Sequence, residues 1–542
     1  MNNPTSYLFK HYKKPFNKIN WQYASTYEVQ KIIKSLKTKN TYGYDEISNH
    51  IIKLSSPFIA SPLTHICNAA LSSGIFPDRL KYAIVKPIYK KGSKQDISNY
   101  RPISLLTSFS KVLEKIIYNR LYTHLEMNNI LVSEQFGFRM NHSTEQAAFS
   151  LINGIVTAMN NKQIVGGIFC DLHKAFDTVQ HNILLDKLKF YGIVGKFYSL
   201  IESYLYNRYQ KVSIEKTEFN KNSSEWKKIN CGVPQGSILG PLFFLLYIND
   251  LPSIVTKENN VVLYADDASF VITNTDRVDF NIHINVLFND INNWFESNLL
   301  NLNFTKTYYL EFSPSKRHKP HTLIHHNSKY ISNATQTNFL GLSLDDTLTW
   351  NYHTESLMKK MSAASYALRQ VKYTLSTDSL KLIYFAHVQS IMNYGVIFWG
   401  NSPGAKKVFI LQKKIIRIIA NIGMRDSCRE VFKNLQIMTL YSLYAYSIIL
   451  FVVKNKHLFT VNNEIHKYNT RNNKNLHPAL PNLTKFIKGP CMSGIKAYNH
   501  LPQYLKTLDQ NSSYFRSSLK CFFYQHPFYT MEEYYEYGAN LL

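Results

Sequence analysis

An Asp-Asp pair interrupts an apolar run, LYADDASFVIT (Leu263 to Thr273). Val261, Val262, Leu263 and Tyr264 before it, and Phe270, Val271 and Ile272 after it, are strand formers. Asp is depleted from strands but favoured in turns, where its carboxylate bonds nearby backbone. The run therefore predicts a β-hairpin whose tight turn carries Asp266 and Asp267. Adjacent like charges repel, and one pKa rises unless a counter-charge is present. A divalent cation such as Mg²⁺ suits oxygen ligands of this kind. A solvated surface turn is the alternative, and this stretch alone does not choose between them.

The charge balance narrows the partners. Lys and Arg total 62 against 36 Asp and Glu, a net charge of +26. Self-repulsion of that size destabilises a compact fold and points to a polyanionic partner. Nucleic acid comes first and an anionic membrane surface second. Hydrophobic residues make up 45% of 542 residues, enough for a large core in three or four subdomains. The 38 Tyr and 33 Phe suit base stacking, although most of them must be core. None of the six Cys has a C-x-x-C spacing, which gives no case for a zinc knuckle or disulfide framework and suggests a reducing, intracellular setting. Leu440 to Val453 is apolar but short and rich in Tyr and Ser, so it predicts a buried helix rather than a membrane span.

Ser25-Thr26-Tyr27-Glu28 reads as a capping box, and Val29, Ile32, Ile33 and Leu36 follow at helical spacing. Helical patterns run to about residue 73. Lys81 to Gly92 predicts a strand ending in a basic turn, and Tyr100 to Leu125 a loop running into a long helix. Ile164 to Val179 predicts a buried strand that breaks at Asp171 and becomes helical. Gly232 to Leu251 reads as a Gly/Pro-rich turn feeding an apolar helix. A helix through Asn293, Trp294 and Phe295 is expected after the hairpin. From about residue 350 the pattern is mostly helical, with a basic, less patterned tail from about 465. His321, His325 and His326 read as loop residues.

Asp171 at a strand end, with Asp266 and Asp267 at a hairpin tip, places three carboxylates where a sheet can bring them together. Two-metal catalysis of phosphoryl transfer needs such a set around ions roughly 3.5–4 Å apart. Spacing alone does not establish the convergence.

The motifs around these residues resemble those of reverse transcriptases of non-LTR (LINE-type) retrotransposons, most closely the jockey-like arthropod group. In order they are AIVKPIYKKG (Ala83 to Gly92), YRPISLL (Tyr100 to Leu106), EQFGFRMNHST (Glu134 to Thr144) and FCDLHKAFDTV (Phe169 to Val179). GVPQGSILGPLFFLLYINDL (Gly232 to Leu251), YADD (Tyr264 to Asp267), NLNFTKT (Asn301 to Thr307) and FLGLSLDDTLTW (Phe339 to Trp350) follow. NYGVIFWG (Asn393 to Gly400) and SCREVFKNLQIMTL (Ser427 to Leu440) extend the likeness. GVPQGSILGP, rather than a retroviral LPQG or an intron-type TPQGG, separates the chain from retroviral polymerases and group II intron maturases. The 95-residue interval from Asp171 to Asp266 does the same.

The resemblance implies an α+β right-hand polymerase of fingers, palm and thumb, with a largely helical C-terminal region. The expected divisions are an N-terminal helical extension (1–68), fingers and palm (69–345), a helical thumb-like region (346–460) and a basic C-terminal region (461–542). It implies Asp171, Asp266 and Asp267 as palm ligands for two Mg²⁺ ions, with Mn²⁺ able to substitute. Phe176 falls where the family places the ring that abuts the sugar of the incoming nucleotide, a steric gate against the 2′-OH; a core Phe is the other reading. Gln235 matches the residue that contacts nucleotide and template, and Gly236 would let backbone approach the substrate closely. Lys86 and Arg101 would face the triphosphate, where a guanidinium clamps oxygens bidentately. Lys90 and Lys91 are left as solvated charge. Lys306 matches a lysine that protonates leaving pyrophosphate, or is a surface lysine. Arg139 touches template or braces the fingers. Asp177 is expected to be structural.

In LQKKIIRIIANI (Leu411 to Ile422), Leu411, Ile415, Ile418, Ile419 and Ile422 share an apolar face while Lys413, Lys414 and Arg417 share another. That basic face is either solvated or set against a duplex backbone. The implied activity is RNA-directed DNA synthesis: a DNA primer 3′-OH is extended on element RNA with dNTPs, as in target-primed reverse transcription on chromosomal DNA. The implied location is intracellular, in the nucleus at the step of action and in a cytoplasmic ribonucleoprotein before it, with no membrane partner. With about 25 residues ahead of the first matched helix, no endonuclease is expected in this chain, and no RNase H carboxylate pattern appears after residue 350. The alternative reading is a decayed or domesticated copy that binds RNA without catalysis.

Overall fold

Ser25 caps the helix that follows it, as its sequence predicts. Its hydroxyl accepts from the Glu28 amide at 3.2 Å and caps the helix Thr26–Ser35. The Glu28 carboxylate turns instead to Arg120 on the helix Ser108–Met127, so half of the capping box becomes a tertiary tie. The computed structural model describes residues 3–217, 220–256, 259–315, 322–465, 475–509 and 512–539. In chain order its strands are β1 (Tyr82–Tyr89), β2 (Tyr100–Leu105), β3 (Ile164–Cys170), β4 (Arg208–Thr217), β5 (Asn220–Ser223), β6 (Lys227–Ile229) and β7 (Asn260–Tyr264). They continue with β8 (Asp267–Asn274), β9 (Tyr308–Phe312), β10 (His325–His326), β11 (Lys329–Tyr330), β12 (Ser332–Asn333), β13 (Gln336–Phe339) and β14 (Leu342–Asp345).

Two sheets position the site. One has the order β2-β1-β4-β5, with β6 also on β4. The other has the order β12-β9-β3-β8-β7, with β3 antiparallel to both β8 and β9. Side chains alternate across a strand, and the central sheet uses both faces. Val165, Val262, Val271 and Leu310 face one core, shared with the helix Thr144–Asn160 and the C-terminal helices. Ile168, Leu263, Phe270 and Ile272 face a second core, shared with the N-terminal helices and with Leu239–Ile248 and Arg277–Ser297. Burial on both faces explains why β3 is apolar throughout.

Several local expectations need correction. Tyr100 to Leu105 is a strand rather than a loop, because pairing with β1 satisfies its backbone. Beyond Asp171 the chain makes only the short turn of 3-10 helix Ala175–Asp177 before the helix His181–Phe190 begins. His325 and His326 form the short strand β10, and the buried His326 ring contacts Asn289 at 2.8 Å; His321 lies outside the described residues. Of the tail expected from about 465, residues 466–474 lie outside the described residues, and the described residues after 475 pack into the core. Phe515, Leu519, Phe522, Phe523, Phe528 and Tyr534 bury against the helix Leu440–Lys454, so aromatic packing outweighs a weak periodic pattern. The first division expected, at 68/69, falls inside the unbroken helix Asn49–Ser73. Among the described residues no helix is long and apolar enough to cross a membrane.

Candidate active site

The hairpin predicted around the Asp-Asp pair is formed by β7 and β8. Tyr264 pairs with Asp267, leaving Ala265 and Asp266 as the turn. Asp267 therefore starts a strand rather than sharing the turn. In the β3–β8 ladder Cys170 pairs with Ala268. Asp171 and Asp267 each lie one residue beyond that last pair, and both line one cavity. Two carboxylates far apart in sequence thus meet at the end of the central sheet because strand pairing is antiparallel there.

Burial first, and then the charges of Asp266 and Asp171, together push the Asp267 pKa up to about 6. Lys90 is the cation that opposes them. Asp171 is held by the NLNFTKT segment. Its carbonyl accepts from the Asn303 amide at 2.9 Å, its carboxylate from the Asn303 side chain at 3.2 Å, and Lys306 Nζ lies 3.9 Å from that carboxylate. A cavity of about 740 Å³ opens beside the carboxylates. Asp171, Asp267, Lys306 and Lys91 line one side, and β13, β14 and the helix Asn351–Val371 line the other. Asp266 is not among the lining residues, as successive side chains diverge. Among the described residues no three acidic, His or Cys side chains are gathered closely enough to hold an ion as they stand. The full three-ligand convergence expected from the sequence is therefore only partly built. What is present fits a hard cation: oxygen donors, with one carboxylate destabilised by burial and by two like charges.

The neighbouring segments are laced together. Phe176 stacks on Phe244 at 4.8 Å and meets Phe138 edge-on at 6.1 Å, and it stays half-buried. Its carbonyl accepts from the Val233 amide. Gln235 donates to Asp177 at 3.0 Å. Gly236 has φ +125°, and a Cβ there would lie 2.6 Å from the Ser104 carbonyl. Its glycine is required by the approach of β2, whatever the substrate needs. The buried Glu114 carboxylate accepts from the amides of Ile238 and Leu239 and so caps the helix Leu239–Ile248 just beyond this loop. On β1 and β2, Lys86 pairs with Ile103 and Ile88 with Arg101, which puts Lys86 and Arg101 on one sheet face.

Three expected nucleic-acid residues are engaged by contacts within the chain. Arg139 is largely buried and donates to the Val132 carbonyl at 2.6 Å, so it braces its own loop. Lys413 sits over the rings of Phe409 and Tyr529, at 4.9 and 5.4 Å. Arg417 donates twice to the Asp426 carbonyl, at 3.0 and 2.9 Å. Only Lys414 of that face is exposed. The C-terminal helices cover the helix Ala405–Ala420 from a side that periodicity could not reveal.

Other residues were missed. Lys91 lines the cavity beside the carboxylates, and the charge of Lys90 acts on Asp267. Asn303 and Gln135 are buried polar supports. The helix Asn351–Val371 carries Tyr352, Lys359 and Tyr366 on an exposed line, continued by Tyr373, at every seventh residue. That repeat was legible, since a period of seven keeps one helix face.

A central sheet with carboxylates at its strand ends, flanked by a second sheet and a helical region, is the palm of a right-hand polymerase. Residues 88–344 match the family model described as reverse transcriptase (RNA-dependent DNA polymerase). The chain is 29% identical over 423 residues to the RNA-directed DNA polymerase from mobile element jockey of Drosophila melanogaster, covering 76% of this chain and 45% of that protein. It is 28% identical over 407 residues to the probable RNA-directed DNA polymerase from transposon BS of the same species, covering 73% and 44%. For the probable RNA-directed DNA polymerase from transposon X-element, also of that species, identity is 27% over 423 residues, covering 76% and 46%. The chain thus carries a reverse transcriptase domain and is homologous to these retrotransposon polymerases. It spans somewhat less than half the length of each.

Proposed function

We propose that the chain is the RNA-directed DNA polymerase of a non-LTR retrotransposon. It extends a DNA primer on an RNA template with dNTPs, as target-primed reverse transcription on chromosomal DNA requires. The observation that carries this reading is that Asp171 and Asp267, each one residue beyond the last β3–β8 pair, line one cavity, with Asp267 raised to about 6 by burial and by the charges of Asp266 and Asp171. Asp171 and Asp267, with Asp266 adjoining, would hold Mg²⁺, two ions in all, with Mn²⁺ able to substitute. Such a pair supplies Lewis-acid stabilisation of the attacking and leaving oxygens. In the reaction the primer 3′-OH attacks the α-phosphorus of the dNTP and pyrophosphate leaves. Lys90, Lys91 and Lys306 meet the triphosphate charge, with Lys86 and Arg101 behind them on the fingers. Lys306 gives its proton to the leaving group. Phe176 closes the sugar side and Gln235 the template side.

The duplex leaves the cleft along the helix Asn351–Val371. Tyr352 and Lys359 already line the cavity, and Tyr366 and Tyr373, 63% and 81% exposed, continue the line. Aromatic and cationic side chains on one open face suit a nucleic-acid backbone and sugar. This replaces the face of Lys413, Lys414 and Arg417 as the duplex contact. The divisions proposed are fingers and palm up to about 345, then a thumb whose core continues into the C-terminal helices. Action on chromosomal DNA places the working enzyme in the nucleus.

The test is oligo(dT) extension on poly(rA) with dTTP and Mg²⁺ or Mn²⁺, beside Asp267→Asn. Extension by the parent and none by the variant supports the reading. A folded parent that binds the duplex and extends nothing supports the non-catalytic RNA-binding alternative.

A further inference from the structure

The EQFGFR segment has no part in the reaction as described, yet it is fastened to the hairpin that carries Asp266 and Asp267. The Phe136 amide donates to the Leu263 carbonyl at 2.8 Å, and the Leu263 amide to the Glu134 carbonyl at 2.8 Å. Gln135 bridges Leu263 in parallel. Its side chain is 2% exposed, and its Oε1 accepts from the Gly137 amide at 2.9 Å and from the Ala265 amide at 3.3 Å. One buried oxygen therefore joins the segment to the first residue of the turn.

Ala265 needs such a hold. Its φ is +57°, a region that a residue with a Cβ enters only at a cost. Ala265 is itself buried, so water does not complete its amide. Gly137 presses from the same side: a Cβ there would lie 2.2 Å from the Ala265 nitrogen. Sterics and a hydrogen bond thus converge on one backbone unit, immediately before the two aspartates. Nothing else in the position of Gln135 explains a buried amide whose Nε2 has no hydrogen-bond partner among the described residues.

We propose that Gln135 is a positioning residue for the polymerase reaction, acting through the Ala265 amide to impose the left-handed turn that aims Asp266 and Asp267. The inference rests on the polymerase reading for its catalytic consequence, but the turn itself can be observed without catalysis.

The experiment uses the full chain with Gln135→Met, which keeps the length of the side chain and removes its acceptor. Amide hydrogen exchange of the peptide spanning 263–268 and Mn²⁺ affinity are measured first, with the thermal midpoint as the control on folding. The variant should melt near the parent, exchange the Ala265 amide at least roughly tenfold faster and bind Mn²⁺ several-fold more weakly. In primer extension at saturating duplex, kcat should fall roughly a hundredfold, the scale of an angstrom-level misplacement, with KM for dTTP little changed. Adding Ala265→Gly, which makes φ +57° inexpensive, should recover part of both Mn²⁺ affinity and kcat. A folded Gln135→Met chain with parental exchange and parental Mn²⁺ affinity overturns the proposal. So does a double variant no better than the single one. If the parent extends no primer, the polymerase reading fails, and the exchange and Mn²⁺ comparison still decides the role of Gln135. If the single variant does not fold, the parent decides: a protected Ala265 amide supports the proposal, and one that exchanges as freely as an exposed turn amide overturns it.

Discussion

The side-chain amide of Gln235 donates to the carboxylate of Asp177 at 3.0 Å, tying the loop after β6 to the turn that carries Phe176. The contact fixes which way the Gln235 carboxamide points. Asp177→Ala should leave Gln235 free to rotate. A hydrogen bond to a charged group is worth about 1.5 kcal/mol at a half-exposed site, or roughly tenfold in KM for dNTP. Asp177→Asn keeps an acceptor and should stay near the parent. A dNTP titration decides it: equal KM values for the parent and a folded Asp177→Ala chain would show that Gln235 is held by something else.

Asp267 makes the site pH-dependent in two opposed ways. Its pKa is raised to about 6 in the folded chain, against an ordinary carboxylate value of 3.8. The folded chain binds the extra proton between those values, so without divalent ions stability should decline as pH rises from about 4 to about 6. Cation binding needs the ionised form, so Mg²⁺ affinity should weaken as pH drops below about 6. Melting curves in chelator for parent and Asp267→Asn isolate the effect. The variant should gain on the parent as pH rises through that window and lose the advantage when Mg²⁺ is added. A difference that stays flat with pH would remove Asp267 as the cause.

Phe176 separates a gate from a core ring. It stacks on Phe244 at 4.8 Å but remains half-buried, so its deletion should cost less than the 3–5 kcal/mol or so of a fully buried Phe. Phe176→Val should raise incorporation of rNTP relative to dNTP by roughly tenfold or more, the worth of about 1.4 kcal/mol of lost steric exclusion. Competition between dTTP and UTP on the same primer measures it. A lower melting temperature with unaltered selectivity would make Phe176 a core residue only.

Legibility in the sequence followed the range of the interactions. The hairpin around the Asp-Asp pair, though with its turn placed one residue too late, the cap at Ser25 and the apolar helix Leu239–Ile248 are set within a few residues, and local patterns showed them. Asp171 was legible as a strand end, but its place at one cavity with Asp267 follows from a ladder between segments nearly a hundred residues apart. Periodicity marks the apolar face of Ala405–Ala420 and says nothing about what covers the rest. Lys413 and Arg417 therefore looked like a free basic face until Tyr529 and the Asp426 carbonyl appeared beside them. Gln135 and Asn303 were hidden for a related reason. A polar residue in a loop is unremarkable until the fold buries it against one backbone group.

Lys187 and Asp250 test how the palm is supported from behind. Both side chains are fully buried, and Lys187 Nζ lies 2.7 Å from Asp250 Oδ1 and 2.6 Å from the Tyr247 carbonyl. Its ammonium also sits 4.9 Å from the Trp294 ring centroid, so the pair links the helices His181–Phe190, Leu239–Ile248 and Arg277–Ser297. Burial disfavours the charge on each group, and each charge offsets that on the other. Lys187→Met alone would strand the Asp250 charge, a loss of about 3–5 kcal/mol. Replacing both, with Lys187→Met and Asp250→Leu, should restore most of the stability, because an apolar pair of similar volume removes both desolvation penalties. Denaturant midpoints of the two variants give the comparison. A single variant as stable as the parent would mean that Asp250 takes up a proton at little cost, and that the palm does not depend on this pair.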